Sequence, residues 1–231
     1  MKKMKPIKVK SEKGKGRRIV KSTILSAILI GGIAIVSLIL IFALYIIISS
    51  PDFDKEKLYS KEATVLYYKD GTELARFGRE NRVLVSYEDF PQVLIDAIVA
   101  TEDSRFFQHS GLDLARFLKA SAGQLAGNDK AGGASTLTMQ VIKKTYTSSE
   151  AHGLAGIVRK FTDIYMSVFK LESNYTKEEI LEFYVNSMWF ANDGNLNYTG
   201  IAGVEQACQH YFGKSVSDIS LAEASIIAGM F

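Results

Sequence analysis

The 231 residues contain a single cysteine, Cys208, and three histidines. A lone cysteine excludes an intrachain disulfide and a cysteine-rich metal centre, and its expected form is a buried apolar thiol. His109, His152 and His210 fall in different segments with no paired ligand spacing, so a histidine metal centre is not expected either. Acidic residues are nearly missing from the start of the chain. Ten of the 28 Lys and Arg residues lie within residues 1–21 against Glu12 alone, which leaves 18 basic and 24 acidic residues beyond. The basic character is therefore local, and a general nucleic-acid-binding surface is not implied. Charge of either sign is absent from Ser22 to Ser50, and no internal repeat is present.

What stands in place of those charges is an almost wholly apolar run from Ile24 to Ile48. At roughly 1.5 Å per residue, a helix of that length crosses a hydrocarbon core of about 30 Å with some tilt. A cleaved signal peptide is the rival reading, but its apolar stretch is usually about 7 to 15 residues. The expected organisation is a basic cytoplasmic tail over 1–21, disordered in solution, and a signal anchor over 22–50. Because positive flanks stay inside, everything after Ser50 is expected outside the cytoplasm of a single-pass membrane protein. A stalk and small β element over 51–90 follow, and then a mainly helical catalytic domain over 91–231.

Ser49-Ser50-Pro51 ends the apolar run, and the polar stretch to about Ser60 reads as a short stalk. Ala63 to Tyr68 and Leu74 to Phe77 flank Asp70-Gly71, a hairpin signal, and Val83 to Tyr87 is a candidate third strand. Helices are expected over Pro91 to about Thr101 and over Leu112 to Ala126, with Leu114, Phe117, Leu118, Ser121 and Leu125 on one face. A glycine-rich loop over 127–133 precedes a helix capped by Ser135, on which Thr136, Gln140 and Lys143 share a face. The next helix, about Ile157 to Glu172, carries Ile157, Phe161, Ile164, Val168 and Leu171 as its buried stripe and Arg159, Asp163, Met166 and Lys170 as a separate one. Capping boxes at Thr176 to Glu179 and Ser220 to Glu223 open two more helices. Between them, Ala191 to Gly200 reads as a polar loop, and a helix from about Val204 stops at Gly213.

The stretch Ala97 to Gly111 gathers a carboxylate pair, two phenylalanines, a histidine and a glycine at the end of one helical pattern. Leu94, Ala97, Ile98 and Thr101 share a face, which puts Glu102 at the edge of the apolar stripe. A carboxylate there, partly shielded from water, suits proton transfer and makes Glu102 a candidate general base. The plainer alternative is a helix-end carboxylate paired with Arg105.

Glu102-Asp103-x-x-Phe106-x-x-His109-x-Gly111, Gly133-x-Ser135-Thr136-x-Thr138-x-Gln140 and Arg159-Lys160-x-x-Asp163 together resemble the peptidoglycan glycosyltransferase domain. That domain occurs in monofunctional transglycosylases and in the N-terminal part of class A penicillin-binding proteins. Glu179 to Asn186, then Gly203 to Ala207 with Tyr211 to Lys214, extend the likeness, and five ordered motifs over roughly 130 residues make chance a poor explanation. The resemblance implies a lysozyme-like helical fold and polymerisation of lipid II, with inversion and release of undecaprenyl pyrophosphate. It maps Glu102 to the general base and Asp163 to the second catalytic carboxylate. Asp103, Ser135, Thr136, Gln140, Lys143, Arg159, Lys160 and Asn186 become substrate-binding residues, and Phe106, His109 and Gly111 structural ones. No cofactor is required, although Asp163 is placed to share a divalent cation, Mg²⁺ or Mn²⁺, with pyrophosphate. The implied partners are lipid II, the growing glycan strand, the membrane, and a transpeptidase or other cell-wall synthesis proteins, with no nucleic acid.

Four departures from the family pattern stand out. Asp163 replaces a usual glutamate, and one extra residue lies between Asp163 and Leu171-Glu172. Met139 replaces the usual first glutamine, and Lys144 a usual asparagine. Two other readings remain open, a lysozyme-like muramidase and a non-catalytic membrane-anchored scaffold. The expected relation to longer proteins is a catalytic domain cut short at its C-terminal end, from either a monofunctional enzyme or the front of a two-domain synthase.

Overall fold

The structure, a computed structural model, describes residues 13–59, 64–77, 82–127, 133–147, 151–191 and 200–230. The chain forms two compact units, residues 1–49 and 50–231. The first is a single helix, α1 (Lys13–Ser49), so the helix begins inside the basic tail that was expected to be disordered. Its stretch Thr23–Ser49 has a mean hydropathy of 2.9 and is long and apolar enough to cross a membrane.

The second unit is mainly helical. A hairpin of β1 (Thr64–Tyr67) and β2 (Glu73–Phe77) opens it, paired antiparallel. Its turn is fixed by the Asp70 carboxylate, which accepts from the Thr72 amide at 2.9 Å and the Thr72 hydroxyl at 2.6 Å. Next come α2 (Gln92–Glu102), α3 (Leu114–Leu125), α4 (Leu137–Thr145) and α5 (Gly153–Met166). A π-helical turn (Ser167–Leu171) extends α5 and leads to α6 (Lys177–Asn186). A second small antiparallel pair, β3 (Trp189–Ala191) with β4 (Ile201–Ala202), precedes α7 (Val204–Phe212) and α8 (Leu221–Ala228).

The core is built around α4, whose Leu137, Thr138, Met139, Val141 and Ile142 are all buried. Leu94 and Ile98 of α2, Met166 of α5, Ile180, Leu181 and Tyr184 of α6 and Ile227 of α8 close over it. Removing such side chains from water stabilises the fold by about 1.5–3 kcal/mol each. Met139 is therefore core filling, and its departure from the family pattern does not reach solvent.

Both capping boxes form as the sequence implies, with Thr176 and Glu179 closing one and Ser220 and Glu223 the other. Gly213 ends α7 with φ +65°, the left-handed turn that glycine takes without strain. Cys208 is fully buried, and desolvation pushes its thiol up to about 12.

Several expectations need correction. Pro91 precedes the first turn of α2 as its N-cap, and Thr136 rather than Ser135 caps α4, its hydroxyl accepting from the Met139 amide at 3.2 Å. Residues 83–86 form no strand; that segment is fastened by the Asn186 side chain instead. The supposed stalk is packed down, with Leu58 buried, Phe53 stacked on Tyr146 at 5.5 Å and Tyr146 donating to the Asp54 carbonyl at 2.6 Å. Residues 60–63, 128–132 and 192–199, which include parts of the expected strand and loops, lie outside the described residues.

The largest correction concerns α5, whose outer face continues the exposed apolar face of α3. Leu114 and Leu118 are 59% and 57% exposed, and Leu154, Ile157, Phe161 and Phe169 are exposed as well. Phe117 of α3 and Phe161 of α5 meet edge-on at 6.4 Å, between these exposed apolar residues of the two helices. Of the stripe assigned to the core, Ile157 and Phe161 face solvent, Ile164 and Val168 are half-buried and Leu171 is fully buried, while Thr162, Asp163 and Met166 face inward. Periodicity identifies an apolar face and leaves open what covers it.

The extra residue between Asp163 and Leu171 is absorbed by the π turn, whose wider winding accommodates one residue without shifting the helix on either side. Gly111 packs against that turn. With φ +83°, a Cβ at this position would lie 3.0 Å from the Ser167 carbonyl carbon and 3.1 Å from the Val168 nitrogen. Gly111→Ala is therefore expected to cost about 2–4 kcal/mol, from backbone strain and steric overlap together. A shift of the thermal or denaturant midpoint will measure it, and an unchanged midpoint would contradict this packing.

Candidate active site

Glu102 is the last residue of α2, half-buried at the edge of a pocket of about 320 Å³ that Thr101, Ser104, Arg105, Arg116 and Lys119 also line. Its carboxylate is held from α4, where the Gln140 amide donates to Oε2 at 2.8 Å. Tyr184 of α6 aligns Gln140 in turn, its hydroxyl 3.4 Å from the Gln140 side-chain oxygen. Arg105 does not pair with Glu102. One guanidinium nitrogen of Arg105 lies 2.5 and 2.6 Å from the two carboxylate oxygens of Asp113, and Asp113 caps α3 through the Arg116 amide at 2.9 Å. That leaves Glu102 in a cation-lined cleft with one oriented hydrogen-bond partner, which is how a carboxylate is kept available to take a proton.

Asp103 does different work. It is 1% exposed and its Oδ2 receives His109 Nε2 at 2.9 Å and the Leu137 amide at 3.1 Å, so it ties the turn after α2 to the start of α4. Thr136 is also buried and donates to the Gly111 carbonyl at 2.7 Å. Phe106 is fully buried, with the Lys177 ammonium 4.4 Å above its ring centroid. Asn186 uses both ends of its amide on Val85, at 3.1 and 2.8 Å, and so joins α6 to the segment before α2.

A second group gathers where α5 passes the beginning of α4. Lys160 donates to the Ser135 hydroxyl at 2.7 Å, and desolvation lowers its pKa below the usual lysine range. Asp163 favours the Lys160 ammonium, and Arg159, Lys143 and Arg116 oppose it, so the group is cationic around one buried carboxylate. Asp163 is 3% exposed, and burial raises its pKa even though the Thr147 hydroxyl donates to Oδ1 at 2.7 Å. The Arg159 guanidinium lies 3.8 Å from Oδ2. One oxygen of Asp163 is thus occupied by a hydroxyl and the other faces a cation, an arrangement that does not fit a resident divalent ion. Among the described residues no cluster of three His, Cys, Asp or Glu side chains suits a metal either.

Thr147 supplies what the shorter acid lacks, because it brings a donor to the carboxylate rather than requiring the carboxylate to reach. Thr147→Val is expected to leave Asp163 without its hydroxyl partner at a cost of about 1–3 kcal/mol, read as a lowered unfolding midpoint. An unaltered midpoint would show that the bond contributes nothing.

Of the residues the sequence points to, Glu102 and Gln140 meet through a hydrogen bond, while Lys143, Arg159, Lys160 and Asp163 form a separate electrostatic group, linked to the Glu102 pocket by Arg116. Sequence reading had missed Arg116, whose guanidinium donates to the Glu102 carbonyl at 3.1 Å and to the Gly133 carbonyl at 2.9 Å. Tyr184 and Thr147 were missed as well. The only signal for Arg116 was its place three residues after a helix-capping aspartate.

A half-buried carboxylate held by an amide, with Arg105, Arg116 and Lys119 lining its pocket and a second cationic group around Lys160, is an arrangement suited to group transfer on an anionic substrate. The match to known proteins is specific: residues 70–231 fit the family model described as Transglycosylase. The chain belongs to the transglycosylase family and is, at the level of the family, a peptidoglycan glycosyltransferase. It is 36% identical over 187 residues to penicillin-binding protein 1A of Streptococcus oralis, covering 81% of this chain and 28% of that protein. It is 32% identical over 227 residues to penicillin-binding protein 1A/1B of Bacillus subtilis, covering 95% and 23%. With penicillin-binding protein 1A of Clostridium botulinum the identity is 35% over 229 residues, covering 96% and 26%. The chain spans about a quarter of the length of these relatives.

Proposed function

We propose that this chain polymerises lipid II into glycan strands while anchored in the cell membrane by α1, with the 50–231 unit on the extracytoplasmic side. The observation that carries this reading is the pairing of Glu102 with Gln140 beside the cations of α3, α4 and α5. An acceptor 4-hydroxyl is a weak nucleophile. As its oxygen forms a bond to the anomeric carbon of the donor, on the face opposite the leaving group, Glu102 takes its proton. The bond from the anomeric carbon to the diphosphate breaks, and undecaprenyl pyrophosphate departs with the electron pair. That leaving group needs positive charge rather than a proton donor, and Lys143, Arg159 and Lys160 provide it. Asp163 then works as a positioning residue that sets Arg159 beside its neighbours, and no step runs through a divalent ion.

A muramidase of the lysozyme kind needs a carboxylic acid to protonate a sugar leaving group. Asp103 is tied to His109 and Leu137, and Asp163 to Thr147, so neither is disposed for that task. The apolar face of α3 and α5 fits contact with a bilayer, which keeps the cleft near substrates that are themselves lipid-borne. Growing glycan, and a transpeptidase acting on it, are the partners this chemistry calls for. The test is incubation with labelled lipid II in detergent micelles. Polymer with release of undecaprenyl pyrophosphate supports the reading, whereas soluble muropeptides from purified sacculi without polymer would replace it with the hydrolase.

A further inference from the structure

Lys144 follows Gln140 by one helical turn, so the two side chains stand on the same side of α4, beside Glu102. Its surroundings are unusual for an ammonium group. It lies 5.4 Å above the ring centroid of Tyr184 and against the sulfur of Met188, with no carboxylate in ion-pair range among the described residues. The side chain is exposed, and the nearby walls nevertheless desolvate it enough to bring its pKa down to about 8. The charged groups that bear on it are Glu102 of α2, which favours the ammonium, and Arg82 and its neighbour Lys143, which oppose it. The reaction brings two lipid-linked substrates to one base, and each carries a diphosphate. The Lys160 group can hold only one of them.

Resting on the function proposed above, we propose that Lys144 binds the diphosphate of the acceptor, while Lys143, Arg159 and Lys160 hold that of the donor. A π face and a thioether keep the ammonium in place without neutralising it, so its charge remains available to an incoming phosphate. Gln140, which holds Glu102, stands one helical turn before Lys144, so both ends of the acceptor are served from α4.

The test uses the full chain in detergent with a labelled lipid-diphosphate tetrasaccharide donor whose terminal 4-hydroxyl is capped, so that it cannot act as acceptor, and lipid II as the varied acceptor. Lys144→Met and Lys144→Asn are each expected to raise the KM for lipid II about 10-fold, the loss of one charge-assisted contact, and to change kcat and the donor KM less than about 2-fold. Lys144→Arg is expected to keep the parent KM. In the parent, the acceptor KM is expected to climb between about pH 7 and pH 9 as the ammonium loses its proton, and in Lys144→Arg to stay level. An unchanged acceptor KM in both neutral variants, or an equal rise for donor and acceptor, overturns the assignment. A fall in kcat at unchanged KM does so as well, because it would make Lys144 a positioning residue for Glu102. If the parent itself forms no polymer, the glycosyltransferase reading fails first, and the two failures are told apart by that control.

Discussion

Glu102→Gln is expected to reduce glycan polymerisation from lipid II by about 10²–10⁴-fold, the range a positioned general base supplies. The substitution keeps shape and volume and removes only the ability to take a proton. Gln140 donates to Oε2 of Glu102 at 2.8 Å, and a glutamine side chain at 102 can still accept that bond through its amide oxygen. The unfolding midpoint should therefore stay within about 1 kcal/mol of the parent, since the exchange at a half-buried site leaves no polar atom stranded. Rate and stability separate here, and that separation identifies a base. A Glu102→Gln protein that polymerises at the parent's rate would remove Glu102 from the mechanism, and one that fails to fold would make the residue structural.

The second large effect is expected at Asp103, and it has the opposite character. Asp103→Ala should destabilise the unit by about 3–5 kcal/mol, because it removes the partner of two buried groups at once. His109 Nε2 and the Leu137 amide both converge on one carboxylate oxygen, with Arg116 3.9 Å from the other. Leu137 opens α4, so loosening it also releases Gln140 and with it Glu102. Activity should fall with temperature in step with unfolding rather than at all temperatures alike. Asp103→Asn keeps one acceptor oxygen and should lie between the parent and alanine. A thermal midpoint for Asp103→Ala within about 2 °C of the parent would show that the turn is held by packing alone.

How much of this was legible in the sequence depends on the range of the interaction. Local signals were read correctly because one short segment carries them whole. The Asp70-Gly71 turn, the two capping boxes and the glycine stop at Gly213 all form where the residues imply. Gln140 does meet Glu102, by a hydrogen bond from α4 to the end of α2. What could not be read were contacts between distant segments. The Val85 clamp that occupies Asn186 joins residues far apart in the chain, and so does the Thr147 hydroxyl on Asp163. The extra residue before Leu171 was visible as a miscount, but only the fold shows a π turn absorbing it. The apolar faces of α3 and α5 were legible, but the Ile157 and Phe161 end of the α5 stripe meets solvent rather than the core. Amphipathic spacing reports contrast between faces and carries no information about the medium each face meets.

Those two stripes bear on how the protein is handled as well as where it works. Leu114, Leu118, Ile157 and Phe161 lie outside the core, so the apolar surface they carry adds nothing to folding stability in plain buffer. A lipid surface that covers them binds the folded unit and not the unfolded chain, so it acts as a stabilising ligand through mass action. Melting midpoints of the 50–231 unit should then rise with vesicle concentration, and midpoints that do not move would show that this face meets no lipid.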